Sequence, residues 1–155
     1  MLLAYRLVRL IEQHSDTLAR DLLQRVQSCS TTAGFVTHVP SQELQQRVNE
    51  IYRNLGDWLL GKTELDIEQR YREIGARRAM QGVPFSQVAS AIILTKDTLW
   101  DFLMKETIVE RPVEIFGELE MLQLLDQFFD RAIFYAALGH EEVTARQPQA
   151  ARYGD

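Results

Sequence analysis

The chain has 155 residues, 46% hydrophobic and 25% charged, the ordinary composition of one soluble globular domain with a sizeable core. Its formal net charge of −5 argues against general affinity for nucleic acid or for an acidic membrane surface. A single cysteine, Cys29, excludes an intramolecular disulfide and suits a reducing compartment, with a small half-buried apolar side chain as its expected role.

Arg6 and Arg9 interrupt the apolar run that opens the chain, so no secretory pattern forms, and nowhere do 18 apolar residues follow one another. A cytoplasmic protein is expected. No stretch alternates strictly as a half-buried strand does, so the chain reads as all-α, with about five long helices. The first runs from Leu2 to Ser28 on the stripe Ala4, Leu7, Val8, Ile11, His14, Leu18, Leu22 and Val26. Ser30 to Pro40, rich in Ser and Thr, is the longest expected loop. Ser41 then caps a second helix that turns Leu44, Val48, Ile51, Leu55, Trp58 and Leu59 inward and ends at Gly61. Thr63 with Asp66 three residues on resembles a capping box for the third helix, which turns Ile67, Tyr71, Ile74 and Met80 inward and runs to Gln81.

Gln81 to Pro84 is a tight corner. Gly82 can take the left-handed conformation that closes a helix, and Pro84 suits the first turn of the next. After it, Phe85, Val88, Ala89, Ile92, Leu99, Trp100 and Leu103 recur at the spacing of a buried face, which makes Phe85 to Glu106 the central helix. Pro112 opens a fifth helix that Gly139 is placed to stop, and 141–155 reads as a tail or linker after a domain spanning 1–140. The fifth helix is apolar over well over half its circumference, more than the outside of a monomer requires. Homodimerisation is therefore expected through it, at Met121, Leu125, Phe128 and Phe134.

The chemistry-bearing residues are few. None of the histidines, His14, His38 and His140, lies between Gln42 and Gly139, so a haem-ligating position is missing and no cofactor is expected. No Glu-x-x-His, His-Glu-x-x-His or Cys-x-x-Cys occurs, and no metal site is expected. Nothing local suggests a nucleophile with its base, so no catalytic residue is assigned. Ala79 to Ala89 has the glycine corner of a helix-turn-helix, but the helix after it is long and apolar and the chain is acidic, which favours a plain corner. Lys96 lies on the stripe of Ile92 and Trp100, and Arg78 one turn after Ile74. Either these cations carry their charge out to water, or Tyr71, Arg78, Lys96 and Trp100 form a pocket for an anionic or aromatic small molecule, in which case an acidic residue must stand nearby.

The run Tyr71…Arg77-Arg78-Ala79-x-Gln81-Gly82-Val83-Pro84-Phe85, with Val88, Ala91, Leu94, Leu99 and Trp100 after it, resembles the N-terminal sensory domain of RsbR-type co-antagonists of RsbT. Leu10-Ile11-Glu12…Leu18-Ala19…Leu22-Leu23 is similar to that family's first helix. Similar domains stand at the N-terminus of some bacterial sensor histidine kinases. The resemblance covers roughly Leu7 to Tyr135 and implies a globin-like fold without haem, a dimer, and fusion to a signalling output domain. It brings no catalytic residues. No output domain follows in this chain, so an excised domain and a stand-alone relative both fit. The expected function is a bacterial sensory domain that relays a ligand or partner signal to a kinase-type or stressosome-type output. The alternatives are a helix-turn-helix-like transcriptional regulator and a small-molecule-binding enzyme.

Overall fold

A computed structural model describes residues 2–106 and 112–146, as helices and short connections with no strand among them. The helices are α1 (Leu2–Gln13), α2 (Ser15–Ser28), α3 (Ala33–His38), α4 (Ser41–Arg53), α5 (Glu64–Met80), α6 (Phe85–Glu106) and α7 (Pro112–Arg146). A 3₁₀ turn at Ser30–Thr32 precedes α3, and a π-helical turn at Asp57–Gly61 precedes α5. This is an all-α bundle, with more and shorter elements than the periodicity suggests.

α5 begins and ends, and α6 begins, where local chemistry dictates. The Thr63 hydroxyl accepts from the Asp66 N–H and the Asp66 carboxylate accepts from the Thr63 N–H, a closed capping box. At the far end Gly82 sits at φ 80° and Val83 N–H reaches back to the Arg78 carbonyl at 3.0 Å, which satisfies a carbonyl the helix leaves open. Pro84 then offers its carbonyl to Gln87 and Val88, and α6 starts.

Six expectations need correction. Ser41 is the first residue of α4 and not its cap, since Pro40 holds the cap position and no side chain bonds there. The second helix does not run unbroken to Gly61. α4 ends at Arg53, the backbone leaves the helix at Asn54 (φ −115°, ψ 26°), and the π-helical turn at Asp57–Gly61 follows. The first helix is broken at His14, where the backbone turns (φ −104°, ψ 20°) and Nδ1 stands 2.9 Å from the Leu10 carbonyl oxygen, competing with the main-chain ladder. The expected loop from Ser30 to Pro40 is largely helical. Thr32 donates its hydroxyl to the Val26 carbonyl at 2.7 Å, Phe35 is buried, and the Gly34 N–H donates to Gln87 of α6 at 2.6 Å. Met80, expected inside, is 64% exposed. Finally, α7 does not stop at Gly139 but continues to Arg146; residues 147–155 of the expected tail lie outside the described residues.

The reason for that last difference is packing. A Cβ at Gly139 would fall on the main-chain carbonyl of Arg72, and a Cβ at Gly75 on that of Ala136. The two glycines let the backbones of α5 and α7 touch, so Gly139 serves close approach and not termination. Arg131 pairs with Glu64, and Arg72 with Glu142. Position advances along both helices together, so they run in the same direction. α2 packs on α4 and α6, while α1 and α6 pack on α7. The shared core runs through Ile11, Leu22, Tyr52, Leu99, Met121 and Leu125, and the Tyr52 hydroxyl finds its partner in the Thr95 carbonyl at 3.0 Å.

Candidate functional site

α5 presents two unlike sides. One lies on α7. The other faces α4 across a cleft whose charged residues share faces by helical spacing: Glu43, Arg47 and Glu50 on α4, and Arg70 and Arg77 on α5, with Ile74 between the two arginines and Gln81 at the cap that follows the helix. Arg70 clasps Glu50 with Nε and Nη2, both at 3.1 Å, in the two-pronged geometry that suits a guanidinium. Arg47 reaches the same carboxylate at 3.3 Å. Further along, Glu43 accepts from Arg78 at 2.8 Å, from Arg77 at 3.2 Å and from Gln81 at 3.1 Å.

Arg78 is 2% exposed, an unusual place for a charge, and its guanidinium carbon stands 5.7 Å over the Phe35 ring. Burial pulls its pKa below the ordinary arginine value, against the support of Glu43. Burial also works against a charge on Glu43, yet the hydrogen bonds of Arg77 and Arg78 prevail and hold that carboxyl at about 2. Two guanidiniums therefore share one carboxylate, which leaves a positive surplus at this end of the cleft.

Behind the charged mouth lies a narrow space of about 60 Å³, lined by Phe35, Val48, Ile51, Tyr71, Val88 and Ala91 among others, with Arg47, Glu50 and Arg78 at its edge. Outside it is a vestibule of about 350 Å³ walled by Arg47, Arg70, Glu73, Arg77, Arg78 and Met80. Arg47, Ile74 and Arg78 line both spaces, which therefore adjoin. Tyr71 stands with its ring edge against Trp58 (6.0 Å between centroids) and Phe128 (5.7 Å). It is 3% exposed, and burial pushes its phenol above the ordinary tyrosine value.

The structure thus brings Tyr71 and Arg78 to one cleft and leaves Lys96 and Trp100, half-buried on α6, out of its lining. Glu43 is the acidic residue that a buried Arg78 requires. Sequence reasoning missed Phe35, Glu43, Arg47 and Glu50. The last three carry a readable signal, opposite charges at i, i+4 and i+7 of one helix, whereas Phe35 sits inside a segment whose composition is that of a loop. The expected dimer residues also separate. Met121, Leu125 and Phe128 belong to the chain's own core, because α7 is covered by α1, α5 and α6, and they are not free to meet a second copy. Phe134 alone of the four stands outside, 59% exposed. On α6, Val88, Leu99 and Leu103 are likewise core residues, so this helix does not offer a free face to a DNA groove at those positions.

No helix among the described residues is long and apolar enough to cross a membrane. Among known proteins, residues 16–152 match the model of the RsbT co-antagonist protein RsbRD N-terminal domain. Neither a curated protein nor a solved structure matches the chain.

Proposed function

This chain belongs to the family of RsbT co-antagonist RsbRD N-terminal domains, a signalling family of the stressosome type, and from that premise we propose that it is a cytoplasmic relay domain. In this reading two copies associate, and a ligand or partner bound among α3 to α6 biases how the helices pack. α7 carries the shift to an output domain of the kinase or stressosome type. The domain works without haem and performs no catalysis of its own.

The family match carries the reading. Further support comes from α7, a rod of about 52 Å at 1.5 Å per residue that touches α1, α5 and α6, so a displacement of any of them reaches it. Exposed apolar side chains on the last two helices give a second copy something to cover: Phe134 and Leu119 on α7, Ile93 and Met104 on α6. A relay needs two packings with different affinity for the signal. α5 supplies a suitable hinge line, since one of its sides is packed backbone to backbone and the other is bridged by long side chains around an open cleft.

Sedimentation of the wild-type chain against Phe134→Lys tests the association. We expect a dimer whose dissociation constant rises at least about tenfold in the variant, the cost of removing one central apolar anchor. An unchanged constant removes Phe134 from the interface, and a wild-type monomer ends the case for relay through a dimer.

A further inference from the structure

Tyr71 carries a hydroxyl that the chain's own hydrogen bonding does not use. A buried tyrosine normally finds a partner for its hydroxyl, as Tyr52 does on the Thr95 carbonyl. The Tyr71 hydroxyl makes no hydrogen bond among the described residues, and it is not one of the fully enclosed atoms left without a partner there, which are Asn49 Oδ1 and Arg72 Nε. The side chain is buried, but the hydroxyl keeps access to the open space of the narrow end it lines. Arg47 and Glu50 are the charged groups whose fields act on it.

The guanidiniums at the mouth are also incompletely used. Arg47 engages Glu50 through Nη1 alone, and Arg78 engages Glu43 and Gln81 through Nη1 alone. Each guanidinium has further N–H donors. Arg78 must share its carboxylate with Arg77, which occupies Glu43 through two nitrogens. The site therefore offers an unpartnered hydroxyl, spare guanidinium donors and one surplus positive charge, set against a wall that includes Phe35, Val48, Val88 and Ala91. Of its other polar members, Thr95 gives its hydroxyl to the Ala91 carbonyl and the Glu50 carboxylate is held by Arg70 and Arg47.

Size narrows the occupant. The inner space of about 60 Å³ is small, with room for a few water molecules or an apolar tail of about two or three carbons. A long acyl chain has no room there, and the vestibule is where a charged head would stay partly hydrated.

We propose that this cleft binds a short-chain monocarboxylate of three or four carbons, its tail against Val48, Val88 and Ala91 and its carboxylate at the mouth among Arg47, Arg78 and the Tyr71 hydroxyl. The assignment names the ligand class for the relay reading above and rests on it for its biological meaning, but not for its chemistry.

The test is calorimetric titration of the whole chain with sodium butyrate at fixed ionic strength, with acetate and n-butylamine as comparisons. Butyrate should bind saturably. Acetate, shorter by two methylenes, should bind about tenfold more weakly, at ~0.8 kcal/mol per buried methylene. The amine should not compete. Tyr71→Phe should weaken butyrate about tenfold while leaving the unfolding midpoint unchanged or higher, because no internal hydrogen bond is lost. Ala91→Leu should fill the space and abolish binding with every arginine intact. If that variant does not fold, Arg47→Gln at the half-buried mouth replaces it and should also weaken butyrate.

No saturable binding, equal binding of acetate and butyrate, equal binding of the amine, or indifference to Tyr71→Phe would each overturn the assignment. The two readings fail separately. A wild-type dimer that ignores butyrate overturns the ligand alone, and a monomer that binds it overturns relay through a dimer alone.

Discussion

The two sides of α5 are made by opposite means. Against α7, Gly75 and Gly139 remove side chains so that two backbones touch, and nothing can be inserted or withdrawn without moving a helix. Against α4, long side chains from Glu43, Arg47, Glu50, Arg70, Arg77 and Arg78 bridge a gap that the backbones leave open. The first side fixes position through shape, with the ion pairs Arg131–Glu64 and Arg72–Glu142 added at its edges. The second holds position through charge pairs whose members can be exchanged for solvent or for a ligand. A domain that must keep its architecture while answering a signal needs one contact of each kind, and α5 carries both.

The largest effect is expected on the close-packed side. Gly75→Ala places a methyl group where the Ala136 carbonyl stands, so the helices must part. A loss of about 3 kcal/mol in denaturant unfolding is expected, at the upper end of overpacking costs. A loss well under ~1 kcal/mol would show that this crossing yields, and the contrast between the two sides would fail.

An intermediate effect is expected from acid on the charged side. Folding lowers the Glu43 carboxyl from 4.5 to about 2, so its contribution is complete above pH 4.5 and is lost as the pH falls toward 2. The amount is on the order of 2 kcal/mol once screening at the open mouth is allowed for. Unfolding curves of wild type and Glu43→Gln should converge through that window. Parallel curves would mean that the Glu43 carboxylate adds nothing on this side.

The smallest effect belongs to the corner where both sides of α5 end. Gly82→Ala places a Cβ at φ 80° and should cost about 1 kcal/mol, touching neither the glycine crossing nor the charged cleft. Butyrate binding should be unaffected, which makes this variant the control for general destabilisation.

Half of the candidate site was readable before the fold was known. Tyr71 and Arg78 stand on one stripe of a helix with strong end signals, and a cation on an apolar stripe announces either a snorkelling side chain or a pocket. Lys96 and Trp100 share that logic on α6, but their helix is turned so that its core face is Val88, Thr95, Leu99 and Leu103. A few tens of degrees of rotation about the axis separate the two outcomes, and periodicity does not resolve that angle. α7 shows the same limit in reverse. Its broad apolar surface suggested a second copy of the chain, whereas three neighbouring helices of the same chain cover most of it.

By itself the sequence determined the all-α class, the capped start of α5, the corner at Gly82 and the 22-residue extent of α6. Each depends on residues a few positions apart, through the 3.6-residue period, a capping pair or a glycine that accepts a left-handed turn. Only the tertiary structure decided the break at His14, the helix hidden in Ser30 to Pro40, the passage of α7 through Gly139 and the identity of the acid beside Arg78. The break at His14 turns on the tautomer and rotamer by which its ring reaches the Leu10 carbonyl, and the others depend on partners far along the chain. Gln87 reaches Gly34 from 53 positions away, Glu43 meets Arg78 across 35, and Arg72 meets Glu142 across 70. Which distant groups meet is set by how whole helices rotate and cross, a property of the packed core and of no single segment.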